Sequence, residues 1–155
     1  MPGHSEIDLA YLAGFIDGEG FIAINSSWPR KCRDRHYNLR VGAINTKREI
    51  LDWIKVEFGG YVYQRKVKDV KKHKIAYAWY LDAKKAEELL KDVYPYLKVK
   101  RLQAEVAMRF RKTFESHHNQ HNYFLIFPER MAIREELQSL NRRGPCQNIE
   151  NIPPS

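Results

Sequence analysis

An α+β fold with a single antiparallel sheet is the architecture that the sequence predicts. Segments with apolar residues at helical spacing alternate with pairs of short, strand-like segments, in the order helix, hairpin, helix, hairpin, helices. The 155 residues suffice for one domain. We therefore expect four strands in one sheet, with helices on one face and the other face open to solvent or ligand. The domain is predicted over residues 1–143, with a flexible tail at 144–155.

The first helix is predicted over Leu9–Ile16. Ser5, followed three residues later by Asp8, is a capping-box-like start, and the glycines on both sides of Glu19 are expected to end the helix. Glu19 is therefore predicted just past the helix end. Ala10 and Gly14 lie four residues apart, so their small side chains share one helix face and allow another backbone to approach closely.

The later elements follow from periodicity and from the positions of glycine and proline. Alternation predicts four strands, and helical spacing predicts four more helices. The predicted strands are Phe21–Ser27, His36–Thr46, Tyr61–Lys68 and Ile75–Leu81. The predicted helices are Lys47–Phe58, Ala83–Val93, Leu97–Phe114 and Glu129–Arg143.

The composition favours a polyanionic partner. The chain has 27 Lys and Arg against 19 Asp and Glu, a net charge of +8, although many basic proteins do not bind nucleic acid. Cys32 and Cys146 lie far apart without metal-ligand spacing, which is typical of an intracellular protein with free thiols. No signal pattern is present, and no apolar run reaches the roughly 18 residues that span a bilayer. We expect a soluble intracellular protein, in the cytoplasm or an organelle.

Leu12–Gly20, with the sequence LAGFIDGEG, closely resembles the LAGLIDADG motif of homing endonucleases. The alternative is an ordinary apolar helix that ends in Asp-Gly. The resemblance implies an αββαββα fold with a DNA-binding saddle on the open face of the sheet. It also implies that the motif helices of two copies pack at a twofold axis, with Ala10, Ala13 and Gly14 at the interface. Because the motif occurs once, the resemblance implies a homodimer.

The resemblance assigns Glu19 to the acidic position that binds a divalent metal at the DNA backbone. Glu19 and the carbonyl oxygen of Gly18 suit Mg²⁺, with Mn²⁺ or Ca²⁺ as other occupants and Ca²⁺ expected to be noncatalytic. An acid at a helix carboxyl end is unfavourable with the macrodipole, which favours a cation there. The alternative is a solvated acid at a helix end.

Tyr94–Ala104 resembles the proline-led segment that presents a lysine to the active site in this family. Lys100 is the candidate by that match, Lys98 is the second choice, and a plain surface lysine is the alternative. Relatives commonly have a glutamine that organises water at the end of the second strand. The corresponding candidates here are Asn45 and Thr46.

Side chains on the open face of the sheet would read DNA in the major groove, where Arg pairs with guanine and Asn or Gln with adenine. A solvated basic face is the alternative for each of them. The candidate readers are Asn25, Ser27, Arg30, Lys31, Arg33, Arg35, Asn38, Arg40, Tyr63, Arg65, Lys66 and Lys68. Arg142 and Arg143 resemble a helix end that contacts phosphates in relatives.

Together the residues and the resemblance predict a site-specific, Mg²⁺-dependent endonuclease for double-stranded DNA. The resemblance implies intron or intein homing by a homodimer on a pseudo-palindromic target. Neither a membrane nor a small-molecule substrate is expected. The alternatives are a noncatalytic nucleic-acid-binding protein on the same scaffold, such as an RNA maturase or a transcription regulator, and a plain α+β dimer.

Overall fold

A computed structural model describes residues 3–27, 36–66, 74–115 and 123–142, and the elements below belong to these ranges. The helices are α1 (Glu6–Glu19), α2 (Arg48–Phe58), α3 (Ala83–Val93), α4 (Arg101–Glu115) and α5 (Tyr123–Asn141), with a 3₁₀ turn at Tyr94–Tyr96. The strands are β1 (Gly20–Ser27), β2 (His36–Asn45), β3 (Tyr61–Gln64) and β4 (Tyr77–Asp82). All strand pairs are antiparallel in the order β1-β2-β4-β3, which confirms the predicted fold class.

The register of the sheet separates two chemically different faces. The core face carries apolar side chains, among them the fully buried Ile22, Val41 and Trp79, and the helices pack on this face. The other side, which we call the open face, carries exposed or half-buried side chains apart from the small Gly42 and Ala78. The open face consists of Phe21, Ala23, Asn25, Ser27, His36, Asn38, Arg40, Gly42, Ile44, Tyr61, Tyr63, Ala78, Tyr80 and Asp82.

Helices α1 and α4 have boundaries that differ from the prediction. The hydroxyl of Ser5 accepts a hydrogen bond from the backbone N–H of Asp8, as predicted, but α1 continues through Gly18 and ends at Glu19. Glycine is permissive rather than prohibitive in a helix, and only Gly20 leaves the helical conformation. Helix α4 begins at Arg101 instead of Leu97, because a side chain of α1 holds the residues between them, as described below.

Helix α5 begins earlier than predicted and includes Pro128. Proline removes one backbone donor, but Phe127 beside it packs on Tyr37 of β2 with 5.5 Å between ring centroids, so tertiary packing outweighs the local preference. The same helix covers an edge of the sheet. Arg134 and Asn141 donate side-chain hydrogen bonds to backbone carbonyl oxygens of β1, at 3.1 and 2.9 Å. These bonds satisfy strand acceptors that would otherwise be free to pair with another chain.

One apolar core underlies the sheet. Buried side chains from all five helices join those of the strands, with Leu12, Leu51, Leu89, Phe110 and Leu137 as one example from each helix. Within the described ranges, no helix combines the length and the apolar character that crossing a membrane requires.

Candidate functional site

The carboxyl end of α1 places Glu19 at the junction of the helix with the sheet. Gly20 is required there, since a Cβ at this position would lie 2.6 Å from the Cα atom and the carbonyl oxygen of Ile16. The tight turn leaves Glu19 exposed beside β1. Within the described residues, the Glu19 carboxylate makes no hydrogen bond or ion pair, so it is available to a cation.

Asp17, one helical turn before the strand, is a residue that the sequence interpretation did not assign. Its carboxylate accepts backbone N–H bonds from Lys98 at 2.7 Å, Val99 at 3.1 Å and Lys100 at 2.8 Å. Burial alone would raise the pKa of Asp17, but these three bonds and the nearby Lys100 charge outweigh it and lower the pKa. The side chain therefore works as a cap for the turn that leads into α4.

Lys100 is bound to the same residue through its side chain. The Nζ atom donates a hydrogen bond to the backbone carbonyl oxygen of Asp17 at 2.5 Å. This bond satisfies one of the carbonyl groups that have no donor within the helix because they lie in its last turn. Burial lowers the pKa of Lys100, while the charges of Asp17 and Glu19 oppose that shift. Lys100 and Glu19 are thus held at one end of α1. The side chain of Lys98 is exposed.

An acid in the last turn of a helix was the signal that could have identified Asp17. Such an acid is unfavourable with the helix macrodipole and therefore requires a partner. The same argument was applied to Glu19 and not to Asp17, two residues earlier. The partner is a set of backbone amides that lie 81 to 83 positions later in the chain.

The two water-organising candidates lie at the end of β2. The side-chain oxygen of Asn45 accepts a hydrogen bond from the backbone N–H of Lys47 at 2.9 Å, which shapes the turn into α2. Thr46 is exposed in that turn. In the part of the chain that the structure describes, neither side chain is hydrogen-bonded to Glu19 or Lys100, so the role of both in water positioning stays a prediction.

Five of the predicted DNA readers occupy the open face as expected, namely Asn25, Ser27, Asn38, Arg40 and Tyr63. Arg65 and Lys66 follow β3 and are exposed, and the backbone N–H of Arg65 extends the ladder to the carbonyl oxygen of Ala76 at 2.9 Å. Arg142 is exposed just after α5. The remaining candidates lie outside the described residues: Arg30, Lys31, Arg33, Arg35, Lys68 and Arg143.

Arg40 has two partners on the open face that the sequence interpretation missed. Its Nε and Nη2 atoms donate to the two carboxylate oxygens of Asp82, at 2.6 and 2.8 Å, and its guanidinium lies 4.0 Å from the ring centroid of Tyr80. Asp82 is directly opposite Arg40 in the ladder. The hydrogen bonds to Asp82 raise the pKa of Arg40 further above its ordinary value.

An exposed stripe of α1 carries the small residues predicted for a helix interface. Ala10 and Gly14 lie on it with Gly18, and Cβ atoms added at Gly14 or Gly18 would meet nothing within 4 Å. Ala13 is a correction to the predicted interface. It is completely buried in the core of the chain itself, adjacent in sequence to Gly14 of the stripe, so it has no exposed surface with which to contact another helix.

Few candidate metal ligands lie at the end of α1 among the described residues. Among the residues described by the structure, no three His, Cys, Asp or Glu side chains gather in a way that could hold a metal ion. Mg²⁺, however, is commonly bound by one or two carboxylates together with phosphate oxygens and water. The exposed Glu19 and the helix-end carbonyl group of Gly18 fit that pattern, and a closed all-protein cage does not.

Comparison with solved structures gives a consistent match. The homing endonuclease I-CvuI, in complex with its target and in the presence of calcium, matches with a TM-score of 0.73 and 20% identity over 92% of this chain and 87% of that one. The archaeal intron-encoded homing endonuclease I-Vdi141I, complexed with DNA, matches with a TM-score of 0.73 and 18% identity over 96% of this chain and 92% of that one. The LAGLIDADG homing endonuclease I-GzeII, in complex with a DNA target, matches with a TM-score of 0.63 and 14% identity over 94% of this chain and 54% of that one.

No protein-family model and no curated protein matches the sequence. In each of these three comparisons the structural match covers more than nine-tenths of the present chain. The match therefore extends through both hairpins and the helices. It therefore includes the helix that carries Leu12–Gly20 as well as the sheet with its open face. The chain has the fold of the LAGLIDADG homing endonucleases.

Proposed function

We propose that this chain is a LAGLIDADG homing endonuclease that cleaves double-stranded DNA at a specific site. The observation that carries the proposal is the convergence of Glu19 and Lys100 at the end of α1. Asp17 brings the two together through its carboxylate and its carbonyl oxygen. A carboxylate for a metal and a cation for the phosphate are the groups that phosphodiester hydrolysis needs.

The open face supplies the surface for DNA. A two-stranded ribbon fits the major groove, and the candidate readers on β1 and β2 project from one side of the sheet. The net charge of +8 favours a polyanion. Similar folds are described in complex with DNA, which supports this partner.

The chemistry assigns a different task to each residue. Glu19, with the carbonyl group of Gly18, would hold Mg²⁺, which supplies Lewis-acid polarisation of a phosphate oxygen when bound. Lys100 stabilises negative charge that develops at the phosphate. Asp17 positions Lys100 and does not touch the substrate. Structures of I-CvuI with DNA are described in the presence of calcium and, with a target that was not cleaved, of magnesium, which is consistent with a divalent cofactor.

A homodimer would complete the site. The chain carries one motif helix and spans 54% of I-GzeII, so two copies together are at least as long as that protein. The stripe of Ala10, Gly14 and Gly18 allows two α1 helices to approach closely at a twofold axis. Each half of a pseudo-palindromic target would then meet one Glu19. Homing of an intron or intein is the biological setting that this activity serves.

The dimer is tested with Gly14→Leu. Because nothing lies within 4 Å of a Cβ at this position, the substitution leaves the protomer intact and acts on the interface. Sedimentation should show a dimer for the wild type and a monomer for the variant, and the variant should lose double-strand cleavage. A wild-type monomer that cuts both strands at one site would refute the shared interface.

Cleavage is tested by incubating the protein and Mg²⁺ with a plasmid library that carries randomised inserts. Glu19→Gln should reduce cleavage about a hundredfold or more, since a lost metal ligand costs several kcal/mol in the transition state. Glu49→Gln, which removes an exposed acid of α2, is the matched control and should cut normally. Sequence-specific binding without cleavage by the wild type would refute the nuclease and favour the noncatalytic binder.

A further inference from the structure

The pair formed by Arg40 and Asp82 leaves a defined part of the guanidinium unused. A guanidinium carries five N–H donors in a rigid, planar arrangement. Asp82 accepts a hydrogen bond from one N–H group on Nε and one on Nη2, which lie along the same side edge of the guanidinium plane. In the part of the chain that the structure describes, Arg40 makes no further hydrogen bond. The two parallel N–H groups at the far end of the plane, one on Nη1 and one on Nη2, therefore remain available together.

Two neighbours, Asp82 and Tyr80, hold the guanidinium plane in place. Asp82 fixes its rotation through two hydrogen bonds, and Tyr80 supports one side of it at 4.0 Å. Tyr80 is itself packed between Tyr61 and Tyr63, with ring centroids 5.6 and 5.8 Å away. Holding a long side chain in one orientation removes the rotamer entropy that binding would otherwise cost. Ala23, directly opposite Arg40 on β1, is too small to cover the guanidinium.

The charge of the pair argues for contact with a base and against contact with a phosphate. Asp82 neutralises Arg40, so the pair as a unit has little Coulombic attraction for the DNA backbone. An acid on a surface that meets a polyanion is also unfavourable unless it has a local task. Orienting Arg40 is such a task. Two parallel donors match the O6 and N7 acceptors of guanine in the major groove.

We propose that Arg40, oriented by Asp82 and Tyr80, reads one guanine in each half of the DNA target. The inference rests on the proposed function, because it requires that the open face binds DNA. It assigns Asp82 and Tyr80 as positioning residues for specificity. In a homodimer the preferred guanines are related by the twofold axis, so the preference appears at two symmetric positions of the target.

The test is a binding selection from randomised double-stranded DNA in Ca²⁺, followed by affinities for single-base variants of the recovered target. The wild type should show one G·C pair per half-site at which substitution weakens binding roughly fivefold to 150-fold. Arg40→Lys keeps the charge but loses the paired donors, so it should flatten the preference at that position alone.

Asp82→Asn separates orientation from charge. It removes one negative charge, so non-specific binding should tighten while the guanine preference weakens. Asp52→Asn is the matched control, because Asp52 pairs with Arg48 at 3.0 Å on α2, and Tyr77 lies 5.7 Å from that guanidinium. The control should leave every base preference unchanged and affect non-specific binding less than Asp82→Asn, because α2 packs on the core face, away from the DNA. Thermal unfolding of each variant identifies any loss of folded protein.

Two results would overturn the inference, and they differ from each other. If a target is recovered but Arg40→Lys and Asp82→Asn keep all its base preferences, Arg40 does not read guanine and the proposed endonuclease stands. If the wild type recovers no sequence and cleaves no plasmid in the library experiment, the proposed function fails and the inference fails with it.

Discussion

Removal of the Asp17 carboxylate is the sharpest perturbation of the connection between α1 and α4. In Asp17→Ala three backbone N–H groups lose their acceptor at once. Those of Lys98 and Val99 are in exposed bonds and can turn to water, whereas that of Lys100 is in a part-buried one. The variant thus tests a cap whose acceptor comes from a distant part of the chain.

The magnitude follows from these three bonds. The part-buried N–H that is left without a partner costs about 1 to 2 kcal/mol. Loss of the cap at the two exposed groups costs about 1 kcal/mol more. We expect a decrease of about 2 to 3 kcal/mol in the free energy of unfolding, which lowers Tm by roughly 4 to 12 °C for a domain of this size. Thermal and urea denaturation at neutral pH measure the change.

The dependence on pH distinguishes a charged cap from simple loss of packing. The pKa of Asp17 is lowered in the folded protein, so its contribution is complete above the ordinary value of 3.8 and is lost as pH falls through the folded value. The difference in the free energy of unfolding between wild type and Asp17→Ala should therefore become smaller below about pH 4.

Asp52→Ala, which removes an exposed i,i+4 partner of Arg48, is the control and should cost less than about 1 kcal/mol. The reasoning is refuted if Asp17→Ala costs no more than this control. It is also refuted if wild type and Asp17→Ala differ in the free energy of unfolding by the same amount at about pH 3 and pH 7.

Three further predictions concern separate features of the structure. Ala83 has φ +54, which strains a residue with a Cβ, so Ala83→Gly should stabilise the protein by about 1 kcal/mol in thermal unfolding; an unchanged or lower Tm would contradict this. The lowered pKa of Lys100 should limit cleavage at high pH, and Asp17→Asn should move that alkaline limit lower, because it removes a charge that supports the lysine cation; an unmoved limit would contradict this. Asn141→Ala frees the carbonyl group of Ile22 at the sheet edge, so it should cost about 1 kcal/mol and increase association measured by light scattering; stability and scattering equal to wild type would contradict this.

Local patterns were sufficient for most of the fold. Helix α3 was predicted with its observed bounds, because its apolar spacing is regular and it meets proline at its end. The prediction was less accurate where a distant partner acts. The start of α4 depends on Asp17, and the early start of α5 depends on Phe127 packing against Tyr37, and neither contact has a signal within a short window of sequence.

For the proposed site, the motif predicted Glu19, and the resemblance of the segment around Lys100 predicted the lysine. Asp17, Asp82 and Tyr80 were missed for a common reason. Each acts through another side chain or backbone group, and its importance depends on what lies opposite it in space. The alternation in β2 placed Arg40 on the open face but could not indicate that an acid on β4 would be its direct neighbour.

The sequence by itself determined the class of fold, the order of its elements, the basic character and the single motif helix, because periodicity and charge are local properties of a chain. Only the tertiary structure decided which residues meet. Strand order put Asp82 beside Arg40, and the packing of α1 on the turn before α4 put Lys100 beside Asp17 and near Glu19. Such contacts join residues separated by 42 and 83 positions, and their register depends on the whole core rather than on either segment.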